Sequence, residues 1–221
     1  MDLDEAYARL LDAAEELFYA RGVQAVGMDE LRSVSGVSLK RAYQCFASKE
    51  ALVEACLRRR DERWRGELRS YVSENARSPA KAPLAVFDWL HDWFSEPGFR
   101  GCAFLNSLGE LGPSSAPVAE AVRDHKRELR RYLRGLTREL PVHPAAANTL
   151  AEQLLLLMDG ATATAASGGG PAAARDARAA AGTLLDAALT APGTRAPVMG
   201  NSRTENARSR SEARRAARSR T

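Results

Sequence analysis

Residues 36–50 read GVSLKRAYQCFASKE, and their reading decides the fold. Gly36 supplies a turn, and Ser38 is placed to cap a helix in which Ala42 and Phe46 lie one turn apart on a single face. Lys40, Arg41, Tyr43 and Gln44 spread over the other faces of that helix. Ser48 caps the next one, with Glu50 favourably placed in its first turn. Immediately before the stretch, Met28, Leu31 and Val34 keep a three-residue spacing that predicts a short helix ending at Ser35-Gly36. Two short helices joined by a tight glycine turn, the second displaying bases and amides, spell a helix-turn-helix.

Outward from this unit the periodicity stays helical. Leu10, Ala14, Leu17 and Phe18 predict a first helix from about Asp4 to Arg21, closed by Gly22. Leu52, Cys56, Leu57, Trp64 and Leu68 carry the helix after Ser48 toward Tyr71. Beyond Ser78-Pro79, Leu84, Val86, Phe87, Trp89, Leu90, Trp93 and Phe94 occupy nearly every face of one helix, which predicts burial all round. A short helix follows in 101–111. Val118, Val122, His125, Leu129, Tyr132, Leu133 and Leu136 then make an amphipathic stripe over 115–140, and two further helices span about 144–167 and 171–190, parted by Gly168-Gly169-Gly170 and Pro171. No segment reads as a strand, so the expected fold is all-α with about nine helices.

The chain has 221 residues, 45% hydrophobic and 27% charged, an ordinary balance for a globular protein. Its charge is unevenly placed: in 192–221 eight arginines stand against two glutamates, so that stretch carries +6 and residues 1–191 hold −2 of the total of +4. The stretch has only Val198 and Met199 as large apolar residues and reads as a disordered basic tail. Acidic residues at the N-terminus exclude a basic signal region, and Leu154 to Met158 is too short an apolar run to span a bilayer, so no membrane partner and a cytoplasmic location are expected. The expected organisation is a helix-turn-helix unit over 1–48, a larger helical unit over 49–191, and the tail over 192–221.

The segments LLDAAEELFYARG (residues 10–22) and MDELRSVSGVSLKRAYQCFASKEALVEACL (residues 28–57) together resemble the N-terminal DNA-binding domain of TetR-family transcriptional regulators. The likeness covers about residues 4–57 and lies in the order and spacing of the LF…RG ending, the GVS turn, the Tyr43/Phe46 pair and the SKE entry to the fourth helix. Leu39-Lys40-Arg41 makes this recognition helix more basic than is usual for the family. The resemblance implies an all-helical homodimer that binds double-stranded operator DNA as a repressor through residues 1–48, and whose residues 49–191 form the small-molecule effector-binding and dimerisation domain, with the last two helices making the interface. Ser38, Leu39, Lys40, Arg41, Tyr43, Gln44 and Lys49 are the candidate DNA contacts, Lys49 and the Tyr43 hydroxyl being suited to phosphate.

Within the C-terminal part, Trp89, Trp93, Phe94 and Phe104 either fill a core or line an effector pocket together with Asn106, Glu110, His125 and Tyr132. The small residues Ala177, Ala181 and Ala188, with Leu184 and Leu185, allow close helix approach and join Leu154, Leu155 and Met158 as the candidate dimer interface. No metal and no cofactor are expected: His91, His125 and His143 lack i,i+3 or i,i+4 spacing, and the glycine triplet lacks a phosphate-loop context. Cys45, Cys56 and Cys102 show no CxxC pattern, and Cys102 is the one whose oxidation merits a test. No convergent catalytic set stands out, so an enzyme is not expected.

Overall fold

The computed structural model describes residues 1–112 and 114–191; the basic stretch 192–221 lies outside them. The Asp2 carboxylate opens α1 (Leu3–Arg21) by accepting the Glu5 amide at 2.8 Å. After α2 (Met28–Ser35), Gly36 adopts the left-handed conformation at φ 68°, which a Cβ would strain. Ser38 then caps α3 (Leu39–Cys45) through the Arg41 amide, and Ser48 caps α4 (Lys49–Asn75) through the Ala51 amide at 3.2 Å. α4 runs a turn past Tyr71 because Val72, buried like Trp64 and Leu68, extends the same face by another four residues.

A short 3-10 turn at Pro79–Lys81 leads into α5 (Ala82–Phe94), followed by α6 (Ala103–Leu111), α7 (Ala116–Arg138), α8 (Pro144–Thr164) and α9 (Ala172–Thr190). Pro83, Pro117 and Pro144 sit in the first turns of α5, α7 and α8, where a missing N–H loses nothing. α8 loosens into a π-helical turn over Ala165–Gly169, and Gly168 at φ 104° breaks the helix before α9. All described regular elements are helices, and among the described residues no helix is long and apolar enough to cross a membrane.

Two apolar clusters organise these helices. One gathers α1 to α3 around Leu10, Leu31, Val37, Ala42 and Phe46, and it also takes in Leu52, Val53 and Leu57 of α4, Phe104 of α6, and Val118 and Val122 of α7. The other wraps α5, which packs against α4, α7, α8 and α9, so Phe87, Trp89, Leu90 and Trp93 are buried in every direction. Trp64 meets Trp89 edge-on with ring centroids 4.8 Å apart, and Trp89 stacks along Trp93. Val34 departs from its spacing: Leu31 is fully buried, but Val34 is 58% exposed on the outer side of α2.

Candidate nucleic-acid interface and the junction behind it

α3 is held by its inner face. Ala42 is fully buried and Phe46, just past the last turn, stacks on Tyr7 of α1 at 4.6 Å. With those two positions fixed, the helix periodicity turns the others to solvent: Leu39 and Tyr43 are 40% and 51% exposed, and Ser38, Lys40 and Gln44 are exposed beside them. Large side chains left in water on so short a helix are unusual unless something covers them. Arg41 stands apart on the side of α1, its guanidinium 3.5 Å from the Met1 carbonyl. Lys49 is half-buried in the first turn of α4, its ammonium 5.9 Å from the centre of the Phe18 ring. The structure thus gathers Ser38, Leu39, Lys40, Tyr43 and Gln44 on one surface and sets Arg41 and Lys49 at its margins.

Behind α3, arginines of α4 lace α1 in place. Glu15, nearly buried on α1, accepts from Arg59 at 2.8 and 3.0 Å and from Arg63, and Arg60 reaches it at 3.5 Å. Burial works to raise the Glu15 carboxyl, but the bonds and charges of Arg63 and Arg59 outweigh it and hold the group below its usual value. The second tie comes from α6 and the loop before it. The Tyr19 hydroxyl donates to the Gly101 carbonyl at 3.1 Å and accepts from the Arg100 amide at 2.9 Å. At the far end of α6 the Glu110 carboxylate accepts the Gln24 amide, and the Gln24 side chain donates to the Glu110 carbonyl, both at 2.7 Å. The Glu110 carboxylate lies so close to Gly22 that a Cβ there would meet it at 3.0 Å, which the glycine, at φ 90°, permits.

The expected effector residues divide among three settings. Asn106 and Glu110 line a cavity of about 340 Å³ between α1, α4 and α6. Trp93, Phe104 and His125 border a void of only about 20 Å³ inside the C-terminal helices, next to Cys102 and the Lys126–Asp159 ion pair. Trp89 and Phe94 are packed core, and Tyr132 is a half-buried residue on α7 beside Arg69. His125 stacks flat on Phe104 at 3.7 Å, and its Nδ1 lies 2.7 Å from Asp61, which Arg65 also holds at 2.7 Å. Burial pushes the Cys56 thiol up to about 12 and also raises the Cys102 thiol. Among the described residues no cluster of His, Cys, Asp and Glu has the makings of a metal site.

The expected interface residues divide as well. Leu154, Leu155, Met158, Ala177, Ala181 and Leu185 are buried within the subunit's own core, where α8 and α9 pack on α5 and on each other. Leu184 and Ala188 keep part of their surface. The outward face of α8 instead carries Leu156, 72% exposed, with Gly160 and Ala163 following it at helical spacing. An apolar run does not by itself separate inner from outer positions; packing on α5 turns Leu154, Leu155 and Met158 inward and Leu156 outward.

A three-helix head whose capped third helix displays polar and aromatic side chains, set on an all-helical body, defines a helix-turn-helix transcription regulator. Residues 10–56 match the family of bacterial regulatory proteins of the tetR type. A TetR transcriptional regulator from Streptomyces avermitilis MA-4680 is 31% identical and superposes with a TM-score of 0.71 over 83% of this chain and 97% of its own. A TetR-family regulator from Streptomyces coelicolor superposes with a TM-score of 0.77 at 27% identity over 84% of this chain and 90% of that one. The chain belongs to the TetR family and is a DNA-binding transcriptional regulator. Over 93 residues, 40% of this chain, it is also 38% identical to the HTH-type transcriptional activator FasR of Mycolicibacterium smegmatis, a match spanning 42% of that protein's length.

Proposed function

We propose that the chain is a repressor that binds a palindromic operator as a homodimer in the cytoplasm and leaves it when a small molecule binds behind the head. The observation that carries this reading is the exposed surface of α3, where Lys40, Tyr43 and Gln44 stand together on a helix held from behind by Ala42 and Phe46. Two such helices on one two-fold axis enter successive major grooves about 34 Å apart. Lys40 and Gln44 would read base edges, and Tyr43 and Lys49 would hold phosphates, with Ser38, Leu39 and Arg41 at the edge of the contact. The outward face of α8 around Leu156, with Leu184 and Ala188 of α9, supports the dimer, since apolar surface of that kind is stable when a second copy covers it.

Selection of operators from random duplex DNA tests the reading directly. The winning sequence is expected to be palindromic, with Lys40→Ala and Tyr43→Ala each weakening it by roughly 1–3 kcal/mol. A base-reading side chain would relax preference at one position, whereas a phosphate contact would lower the salt dependence. Enrichment of no sequence, or binding indifferent to both variants, would overturn it. The match to an activator favours a second reading, in which the bound protein raises transcription. A reporter driven from the selected operator separates the two by the sign of its response.

A further inference from the structure

We propose that the cavity between α1, α4 and α6 is a binding site for a small organic anion with an apolar body, seated with its carboxylate against Arg100 and Arg60. The cavity holds about 340 Å³, which suits a compact metabolite more than a long chain. Phe18, Val53 and Leu57 give it apolar walls. From α6, positions 103, 106, 107 and 110 fall on one helical stripe and face these walls.

The polar groups around it are unequally engaged. Glu15 is taken by Arg59 and Arg63, and Glu110 by Gln24, so the two acids of the lining already have partners. The Arg100 guanidinium has no acid partner among the described residues. Arg60 is held 3.9 Å over the Tyr19 ring and touches Glu15 only at 3.5 Å. Ser107, 6% exposed, lines the same cavity, and no group among the described residues takes its hydroxyl. Two under-used guanidiniums, with the Ser107 hydroxyl on the cavity wall beside them, call for an acceptor that the chain does not supply, and a carboxylate is the acceptor that guanidinium forks fit best. A wider groove bordered by Asp12, Arg63 and Pro97 shares Glu15, Tyr19, Ala20, Arg60 and Arg100 with the cavity, so the two guanidiniums stand where the cavity meets the groove.

The site lies between the two ties that join head to body, Tyr19 with Gly101 at one end and Gln24 with Glu110 at the other. A ligand there would bias the angle at which α1 carries the head. That consequence rests on the operator reading, but binding itself does not.

Calorimetry on the full chain with 1-naphthylacetate and its neutral amide tests the proposal without DNA. The acid is expected to bind once per chain, about tenfold or more tighter than the amide. Arg100→Glu, a change on an exposed loop residue, is expected to weaken the acid by about tenfold and close the gap to the amide, whereas Ser107→Leu, which fills the cavity, should weaken both. No binding of the acid, or binding unchanged by Arg100→Glu, would overturn the site. If Ser107→Leu fails to fold, the comparison of acid and amide on the Arg100→Glu chain still decides.

Discussion

Burial lowers the His125 imidazole from its ordinary value of 6.5, against the hydrogen bond and charge of Asp61, which work to raise it. Burial likewise tends to raise the Asp61 carboxyl, but His125 and Arg65 prevail and bring it down to about 2. The two residues therefore withdraw stability in separate windows. As pH falls below 6.5, the unfolded chain protonates its histidine before the folded chain does, so stability declines from there toward the lower folded value. The Asp61 contribution is intact above 3.8 and is lost as pH falls toward 2. Thermal melts from pH 7 to 2 are expected to show both declines, and His125→Asn should flatten the first and shrink the second, since Arg65 alone then holds the Asp61 carboxyl down; an unchanged slope between pH 7 and 5 would refute the assignment. From sequence, His125 was legible as an interior position of an amphipathic stripe. Its partner was not, because Asp61 lies 64 residues away on a helix whose neighbouring residues are mostly arginines and acids.

At the scale of elements, caps and breakers carried most of what could be read. Ser38 and Ser48 each accept an amide in the first turn of the helix they begin, and Gly22 and Gly36 close α1 and α2, whereas the Asp2 cap that starts α1 at Leu3 went unread. Such signals are local, so they need no knowledge of the tertiary structure. Ser48→Ala is accordingly expected to cost about 1 kcal/mol in denaturant unfolding, with Ser48→Asp restoring most of it. Equal losses from both changes would mean that packing of the half-buried side chain, and not its bond to Ala51, matters there. The ties between elements were illegible for the opposite reason. Gln24 and Glu110 are 86 residues apart, and Tyr19 and Gly101 are 82 apart, so only the packing of α6 beside α1 joins them. The stripe at 103, 106, 107 and 110 was nonetheless present in the sequence as an unbroken polar and small face on an otherwise apolar helix.

For the molecule as a whole, the all-helical architecture and the head could be read from periodicity, but the choice of faces in α8 and α9 could not. Every residue from Leu154 to Met158 is apolar, and only the packing on α5 decides that Leu154, Leu155 and Met158 turn inward and Leu156 outward. If the outward face is the subunit interface, Leu156→Arg places a charge in it. Sedimentation of that variant is expected to give a monomer with an unchanged helical spectrum, whereas Leu154→Ala should destabilise the subunit by about 2–5 kcal/mol through a core cavity. A Leu156→Arg chain that remains dimeric would move the interface elsewhere.

The head's apolar cluster is closed by residues from far along the chain: Leu52 and Val53 of α4, Phe104 of α6, and Val118 and Val122 of α7. Its integrity is therefore a property of the whole polypeptide and not of its first 48 residues. A chimera made by grafting those residues onto an unrelated body would transplant a recognition surface with one wall of its foundation left behind. Interchange of heads among such proteins would succeed only where the recipient's sixth and seventh helices had been shaped to receive them.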